Sequence, residues 1–317
     1  MSEYAVSDPS VLVGPGLGRD AAAIQAGTAT LVVKTDPITF ATDHAPLYVV
    51  DVNANDVACL GAMPRWLVVT ALLPSGATTP PMVEQQFREL RDICTARGIS
   101  LVGGHTEITA AVNRPILVGT LIGEAAEGQL LVPGGGRPGD RLLVTKGIAI
   151  EGTALLAREL SQQLTAALGR DVVEAAARLL ENPGISVVKD AAILLEAGGI
   201  TALHDPTEGG LVTGVRELAE ASGCGATLVA GEVRVLEPTA AVARRLGLDP
   251  LGLLSSGCLL ASADPGAVER LIAAGSAAGI PVRECGMLTP PEEGFVLRGD
   301  KAMSMPIFLS DEVTRVL

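Results

Sequence analysis

Carboxylates that follow strand-like runs are the residues of this sequence best suited to chemistry. These acids are Asp20, Asp36, Asp56, Asp205 and Glu208. Their hard oxygens, without a cluster of His and Cys, suit Mg²⁺ or Mn²⁺ rather than zinc. Scattered carboxylates also occur in the solvated loops of any acidic protein. The pattern alone therefore favours magnesium–phosphate chemistry only slightly over ordinary loop acids.

Residues 46–60 place acids and amides inside an apolar run. Apolar side chains fall on every side of the helix predicted there, which is typical of a buried helix. Asp51, Asn53, Asn55 and Asp56 interrupt this run. A buried carboxylate is costly unless it is paired or binds a cation, so the run predicts a buried, oxygen-rich site.

A predicted strand over residues 30–35 leads to the acid Asp36. Lys34 and Asp36 stand two residues apart, so they share a face of the sheet if the strand persists. Trp66, further along, is interpreted as a core or interface anchor.

Composition limits the classes of function. The chain has 317 residues, a formal net charge of −13 and a pI near 4.7, which argues against nucleic-acid binding because phosphate contacts need clustered Lys and Arg. An acidic protein that binds ATP needs a cation between its carboxylates and the phosphates. The five cysteines form no CxxC pair, and no apolar run is long enough to cross a bilayer. We expect a soluble, cytoplasmic protein.

The length of 317 residues suggests two domains, and both halves of the chain mix predicted strands and helices. The glycine-rich run PGGGRPGD at 133–140 is the predicted boundary, which gives domains at 1–135 and 136–317. Strands are predicted at 30–35, 66–73, 100–102, 115–122, 141–145, 226–229, 258–262, 282–285 and 295–297. Helices are predicted at 46–60, 81–97, 151–160, 171–181, 187–196, 211–222, 239–246 and 267–278. We expect sheets covered by helices in both domains.

Two glycine-rich segments are predicted to be loops. Gly14, Gly16 and Gly18 precede Arg19 but lack the GK[ST] ending of a P-loop and the spacing of a dinucleotide-binding turn, so an ordinary turn between strands is the favoured interpretation. The second segment, GGHTE, spans residues 103–107.

Taken together, five motifs resemble those of the AIR synthase (PurM-like) superfamily in order and spacing. They are GRDAAAI at 18–24, KTD at 34–36, VNANDVACLGA at 52–62, GGHT at 103–106 and HDPTEGGL at 204–211. The run DPTEGGLVTGVRELAEASG at 205–223 is most similar to HypE-like members. The resemblance covers nearly the whole chain.

This resemblance implies a two-domain α+β fold and also indicates cofactors and partners. The N-terminal sheet domains would pair into a barrel across a homodimer, and the C-terminal domain would be a mixed α/β sandwich. ATP would lie in a cleft with Mg²⁺ ions on its phosphates, and a phosphoryl group would pass to a small-molecule substrate. Neither a nucleic-acid partner nor a membrane is expected.

The resemblance also assigns roles to individual residues. Asp20, Asp36, Asp56 and Asp205 match acids that bind Mg²⁺, and Asn53 begins the motif that ends on Asp56. The loop formed by Gly14, Gly16 and Gly18 would close on the nucleotide.

A second set of residues would face phosphate at the start of the helix at 211–222. Thr207 and the backbone amides of Glu208, Gly209 and Gly210 would lie there, where the helix dipole favours an anion. Glu208 is as well explained by first-turn complementarity to that dipole as by metal ligation.

Departures from the family pattern leave alternatives open. Arg19 and His105 each stand where an acid is usual, and Lys34 replaces a small hydroxyl residue. Arg19 would contact phosphate, Lys34 would reach a phosphate as a point charge, and His105 is either catalytic or a hydrogen-bonded structural residue. No Cys follows Cys285, so the thiol chemistry of HypE is not expected.

We therefore expect an ATP- and Mg²⁺-dependent phosphotransferase or synthetase-type enzyme that activates a small molecule. One alternative is a non-catalytic ATP-binding regulator or maturation partner. Another is a small-molecule kinase resembling thiamine-monophosphate kinase.

Overall fold

The computed structural model of the protein describes residues 7–15, 20–39 and 42–317. They form two compact units, Met1–Leu130 and Leu131–Leu317. The predicted organisation, with two domains that each mix sheet and helix, is confirmed. None of the described helices is both long and apolar enough to span a membrane.

The first unit is built on an open, six-stranded sheet. Its strands are β1 (Val11–Val13), β2 (Ala22–Ala26), β3 (Ala29–Ile38), β4 (Ala62–Pro74), β5 (Ser100–Thr109) and β6 (Ile116–Ala125). They lie in the order β1-β2-β3-β6-β4-β5, and only β4 and β5 pair in parallel. Since the described strands close no barrel within the chain, the predicted barrel would require a second copy.

Two helices accompany this sheet, α1 (Ala45–Cys59) and α2 (Pro80–Arg97). Twelve of the 15 residues of α1 are buried, which confirms the prediction of a helix that is apolar on every side. Helix α2 is amphipathic and buries Leu90 and Cys94. It ends at Gly98, whose left-handed conformation (φ 68°) is one that glycine adopts without strain.

The second unit contains a seven-stranded mixed sheet in the order β13-β12-β9-β11-β7-β10-β8. Its strands are β7 (Arg141–Thr145), β8 (Ile200–His204), β9 (Gly225–Val229), β10 (Leu260–Ala263), β11 (Val282–Thr289), β12 (Phe295–Arg298) and β13 (Ala302–Ser304). Its helices are α3 (Ile150–Glu159), α4 (Ser161–Leu168), α5 (Arg170–Ala177), α6 (Val188–Ala197), α7 (Gly210–Ala221), α8 (Glu237–Leu246) and α9 (Val268–Ala277). The core between sheet and helices is almost wholly aliphatic.

Several local predictions differ from the structure. The segment 103–107, predicted as a loop, continues strand β5 because it pairs in parallel with β4. Helix α4 was missed because its short, polar sequence buries only Leu164. Strands β1, β2, β8 and β13 were also missed. Strand β2 is rich in alanine, which is uncommon in strands, yet it pairs with residues 29–33 of β3.

Candidate active site

A half-buried cluster of charges lies on the first sheet. The ammonium of Lys34 is 2.7 Å from Oδ2 of Asp56 and 3.6 Å from Oδ2 of Asp36. The side chains of Lys34 and Asp56 are each 12% exposed, whereas that of Asp36 is 36% exposed. The cluster therefore opens towards solvent on the side of Asp36.

Strand β3 places two members of the cluster. It persists through Ile38, so Lys34 and Asp36 share a face as predicted. The register with β6 sets Lys34 opposite Leu121 and Asp36 opposite Gly119. This is the face on which α1 packs.

Helix α1 supplies the third member because it approaches β6 closely. A Cβ atom at Gly119 would lie 2.7 Å from Nδ2 of Asn53 and 2.8 Å from Cγ2 of Val49. Only glycine leaves room for the helix at this depth. Asp56 lies almost one turn beyond Asn53 and thereby meets Lys34.

Asn53 is fully buried and donates from Nδ2 to the carbonyl oxygen of Val49 at 2.8 Å. Its Oδ1 accepts no hydrogen bond from the part of the chain that the structure describes. The structure thus gives Asn53 a place in the contact between α1 and β6, and its predicted role in cofactor binding stays a prediction.

The charges of the cluster perturb one another. Burial alone would lower the pKa of the Lys34 ammonium, but the carboxylates of Asp56, Asp36 and Asp20 outweigh this effect and raise it. Burial raises the pKa of Asp56 to about 6, despite the opposing effect of Lys34. Lys34 therefore stays charged at neutral pH, and Asp56 takes up a proton under mildly acidic conditions.

Asp51, the other acid of α1, has a structural partner. Its carboxylate accepts from Nε and Nη2 of Arg97 at 2.7 and 2.8 Å, and its side chain is 1% exposed. A buried acid must be paired or bind a cation, and here the partner is an arginine at the end of α2, which the sequence did not reveal.

The carboxylates of this unit do not fit a divalent ion beside Lys34. The ammonium already lies between Asp36 and Asp56, where it contacts the oxygens that would serve as ligands. Throughout residues 7–15, 20–39 and 42–317, no group of three His, Cys, Asp or Glu side chains could hold a metal ion. The ammonium of Lys34 therefore competes with Mg²⁺ for the carboxylates of Asp36 and Asp56. That Asp20, Asp36 and Asp56 bind Mg²⁺ together stays a prediction.

The glycine loop before Asp20 is only partly described. Gly16, Gly18 and Arg19 lie outside the described residues, and their predicted contacts with nucleotide stay predictions. Gly14 is half-buried just after β1. Asp20 is exposed and acts electrostatically on both Lys34 and Asp56.

His105 is not placed beside Lys34. It lies on β5, at the edge of the sheet, and is exposed. The register pairs it with Thr70, on the face of the sheet away from α1, and strands β6 and β4 separate β5 from β3. Lys34 and His105, the two residues predicted to be catalytic, therefore lie apart within the sheet and cannot act there as a pair.

The second predicted set lies on the loop between β8 and α7. Asp205 is 3% exposed, Thr207 is half-buried and Glu208 is exposed. The carbonyl oxygen of Thr207 accepts from the backbone amides of Gly210 and Ser255 at 3.1 and 3.2 Å. These bonds hold the loop in a fixed turn.

The amide of Gly209, predicted to face phosphate, donates instead to Oδ2 of Asp311 at 2.8 Å. Oδ1 of Asp311 accepts from the amide of Val313 at 2.8 Å. A carboxylate from the segment after β13 thus takes the position at the start of α7 that an anion would occupy. Gly209 itself has φ 74°, which explains the glycine on conformational grounds.

Glu151, at the start of α3, is an acid that sequence reasoning missed. Burial raises its pKa to about 7, with smaller contributions from Glu208 and Asp311, while Ser256 acts in the opposite direction. The signal available in the sequence was weak, because one Glu at the start of a helix is ordinary dipole complementarity. The turn before α3 also holds Lys146 and Ala149 at positive φ (both 57°), which is unusual for residues with a Cβ atom.

None of the five cysteines forms a disulfide, and all five are buried. Burial raises the pKa of Cys94 to about 11 and that of Cys258 to about 12, and it also raises the pKa values of Cys224 and Cys285. These thiols are poorly suited to nucleophilic chemistry.

Comparison with known families agrees with this architecture. Residues 18–125 match the N-terminal domain of AIR synthase related proteins, and residues 137–298 match the C-terminal domain. The chain belongs to the AIR synthase related family. Within it, the chain resembles HypE.

Three known proteins illustrate the likeness. The carbamoyl dehydratase HypE of Cupriavidus necator is 29% identical over 273 residues, which span 82% of this chain and 72% of the relative. The crystal structure of the hydrogenase maturation protein HypE in complex with ATP has a TM-score of 0.74 at 25% identity, covering 93% of this chain and 91% of that chain. AaThiL, solved with AMPPCP and TMP, shares the fold at 19% identity, with a TM-score of 0.72 over 90% of this chain and 88% of that one.

Proposed function

We propose that the protein binds ATP and transfers a phosphoryl group to activate a small-molecule substrate. The observation that carries the proposal is the likeness, over nearly the whole chain, to HypE in complex with ATP. Phosphoryl transfer depends on positioning and on neutralisation of charge, and the cluster of Lys34, Asp36 and Asp56 supplies charged groups on rigid elements.

An oxygen is the proposed acceptor atom. HypE relatives carry the name carbamoyl dehydratase, but the cysteines of this chain are buried and their thiols are not presented to a substrate. We therefore place the acceptor on a small molecule rather than on a cysteine of the protein. Mg²⁺ is proposed to arrive with the nucleotide, with Asp205 and Glu208 as the remaining candidate ligands.

Calorimetric titration with ATP, with and without Mg²⁺, tests nucleotide binding. We expect the wild-type protein to bind ATP and Lys34→Met to bind about tenfold more weakly, a loss of about 1.4 kcal/mol, because the variant loses the ammonium that is predicted to reach a phosphate. Lys34 is chosen because it is the cationic member of the cluster. Lys189→Met is the matched control, since Lys189 is an exposed residue of α6, and its affinity should equal that of the wild type. A wild-type protein that binds no ATP in either condition contradicts the proposal.

Release of ADP separates the enzyme from a non-catalytic ATP-binding regulator. The separation of His105 from Lys34 across the sheet favours the regulator as the second candidate, because these residues form no catalytic pair within it. A protein that binds ATP but releases no ADP with any of a broad set of metabolites supports the regulator. Stimulation by a phosphate ester such as thiamine monophosphate favours the kinase.

We also propose a homodimer in the cytoplasm. The face of the first sheet away from α1 carries partly exposed apolar residues, namely Val33, Val68, Leu72, Val118 and Ile122. Strand β5, at the edge, exposes Val102 and Ile108 by 56% and 58%. Such surfaces mark sites of association, and free cysteines suit a reducing compartment.

A further inference from the structure

The ammonium of Lys34 has the surroundings of a bound cation. The side chain of Lys34 is 12% exposed, and its ammonium lies 2.7 Å from Asp56 and 3.6 Å from Asp36. Asp20 adds a third negative charge that acts on it. Lys34 is held in place from both sides, by the ladder between β3 and β6 and by the docking of α1.

A divalent ion would compete directly with this ammonium. Mg²⁺ and Mn²⁺ need carboxylate oxygens at close range and in a defined geometry. An ion held jointly by Asp36 and Asp56 would lie between their carboxylates, where the ammonium of Lys34 already approaches Oδ2 of Asp36 and Oδ2 of Asp56. A divalent ion placed there would also be repelled by the ammonium at short distance in a half-buried environment.

We propose that Lys34 is the resident cation of this cluster, so that Asp36 and Asp56 bind no divalent metal in the wild-type protein and become metal ligands only when Lys34 is removed. Such a site needs no ion from solution to neutralise its acids. Lys34 occupies this position in the protein without nucleotide, so its role as the resident cation does not depend on ATP turnover.

Titration with Mn²⁺, followed by electron paramagnetic resonance in the absence of nucleotide, tests the proposal on the full chain. The wild type and Asp56→Asn should give the same titration curve, since Asp56 is engaged by Lys34. Lys34→Ser should gain one Mn²⁺ site at least about tenfold tighter than any site of the wild type. That gain should vanish in the double variant Lys34→Ser/Asp56→Asn.

Two further variants separate the charge of Lys34 from its volume. Lys34→Arg keeps a cation and should gain no Mn²⁺ site. Lys34→Met removes the charge but fills most of the space, so any gain should be weaker than for Lys34→Ser. Thermal melting gives an independent readout: Mn²⁺ should raise the Tm of Lys34→Ser and leave that of the wild type unchanged.

Either of two results overturns the proposal. One is a Mn²⁺ site in the wild type that is lost in Asp56→Asn, which requires no variant of Lys34 to fold. The other is a folded Lys34→Ser protein, judged by circular dichroism, with no added Mn²⁺ site. If Lys34→Ser folds only when Mn²⁺ is present, the metal has replaced the ammonium and the proposal is supported. A negative result in the Mn²⁺ tests would not contradict ATP binding. A negative result in the ATP titration would not contradict the role of Lys34 as the resident cation.

Discussion

The role of each acid in this protein depends on the residues that surround it. Asp51 is held by Arg97 and belongs to the structure, whereas Asp56, five residues later on the same helix, meets Lys34 on the sheet. Both are acids of one apolar run, yet only the second lies in the candidate site. The difference is the partner that tertiary packing brings to each.

Glu151 offers a test of local electrostatics through the dependence of stability on pH. Its folded-state pKa, about 7, lies above the ordinary value of 4.5. The folded protein therefore holds this proton more tightly than the unfolded chain does. The contribution to stability is full below about pH 4.5 and is lost as the pH rises through about 7.

Above about pH 7 the folded protein bears the cost of ionising the carboxyl group of Glu151, and Glu151→Gln removes that cost. We expect the free energy of unfolding to rise by about 2 kcal/mol at pH 8 and to be unchanged at pH 4. Chemical denaturation at a series of pH values measures the difference. Glu159→Gln, at an exposed position of the same helix, is the control and should behave as the wild type throughout. A gain for Glu151→Gln that persists at pH 4 would show that titration is not its cause.

The approach of α1 to β6 is the feature of the elements on which the candidate site depends. Gly119 and Gly123 face Val49 and Val57 of the helix, and a side chain at either glycine would meet the helix. The helix carries Asp56 and the neighbouring strand β3 carries Lys34. The spacing of helix and sheet therefore sets the distance between the two charges.

Gly119→Ala should disturb that spacing. Its Cβ would be forced against Asn53 and Val49, so we expect a loss of about 2 kcal/mol in the free energy of unfolding. Gly103→Ala on β5 is the matched control, because its Cβ would meet no atom within 4 Å. Urea unfolding of both variants makes the comparison. Equal stability of the two would mean that α1 can shift without cost.

The elements were predicted far better than the contacts between them. Helix α1 was predicted from apolar residues on every side, the strand that carries Lys34 from its β-branched residues, and α2 from the helical spacing of its apolar residues. The pairing of Lys34 with Asp56, of Asp51 with Arg97 and of Gly209 with Asp311 joins residues 22, 46 and 102 positions apart. Such pairs depend on tertiary packing and leave no local pattern in the sequence.

At the scale of the whole molecule, the open face of the first sheet predicts self-association. Sedimentation velocity should show a dimer for the wild type. Leu72→Arg places a charge on that face and should shift the protein to a monomer, since burying an unpaired charge in an interface is costly. Gln85→Arg, on the exposed surface of α2, should remain dimeric. A wild type that sediments as a monomer contradicts the predicted barrel.

The burial of all five thiols has a practical consequence for the study of this molecule. Cysteine reagents act on thiolates that solvent can reach, and the native cysteines offer none near neutral pH. A single cysteine introduced on the surface can therefore carry a fluorescent or spin label without removal of any native residue. Pairs of such labels, one in each unit, would report distances between the two units before and after nucleotide is added.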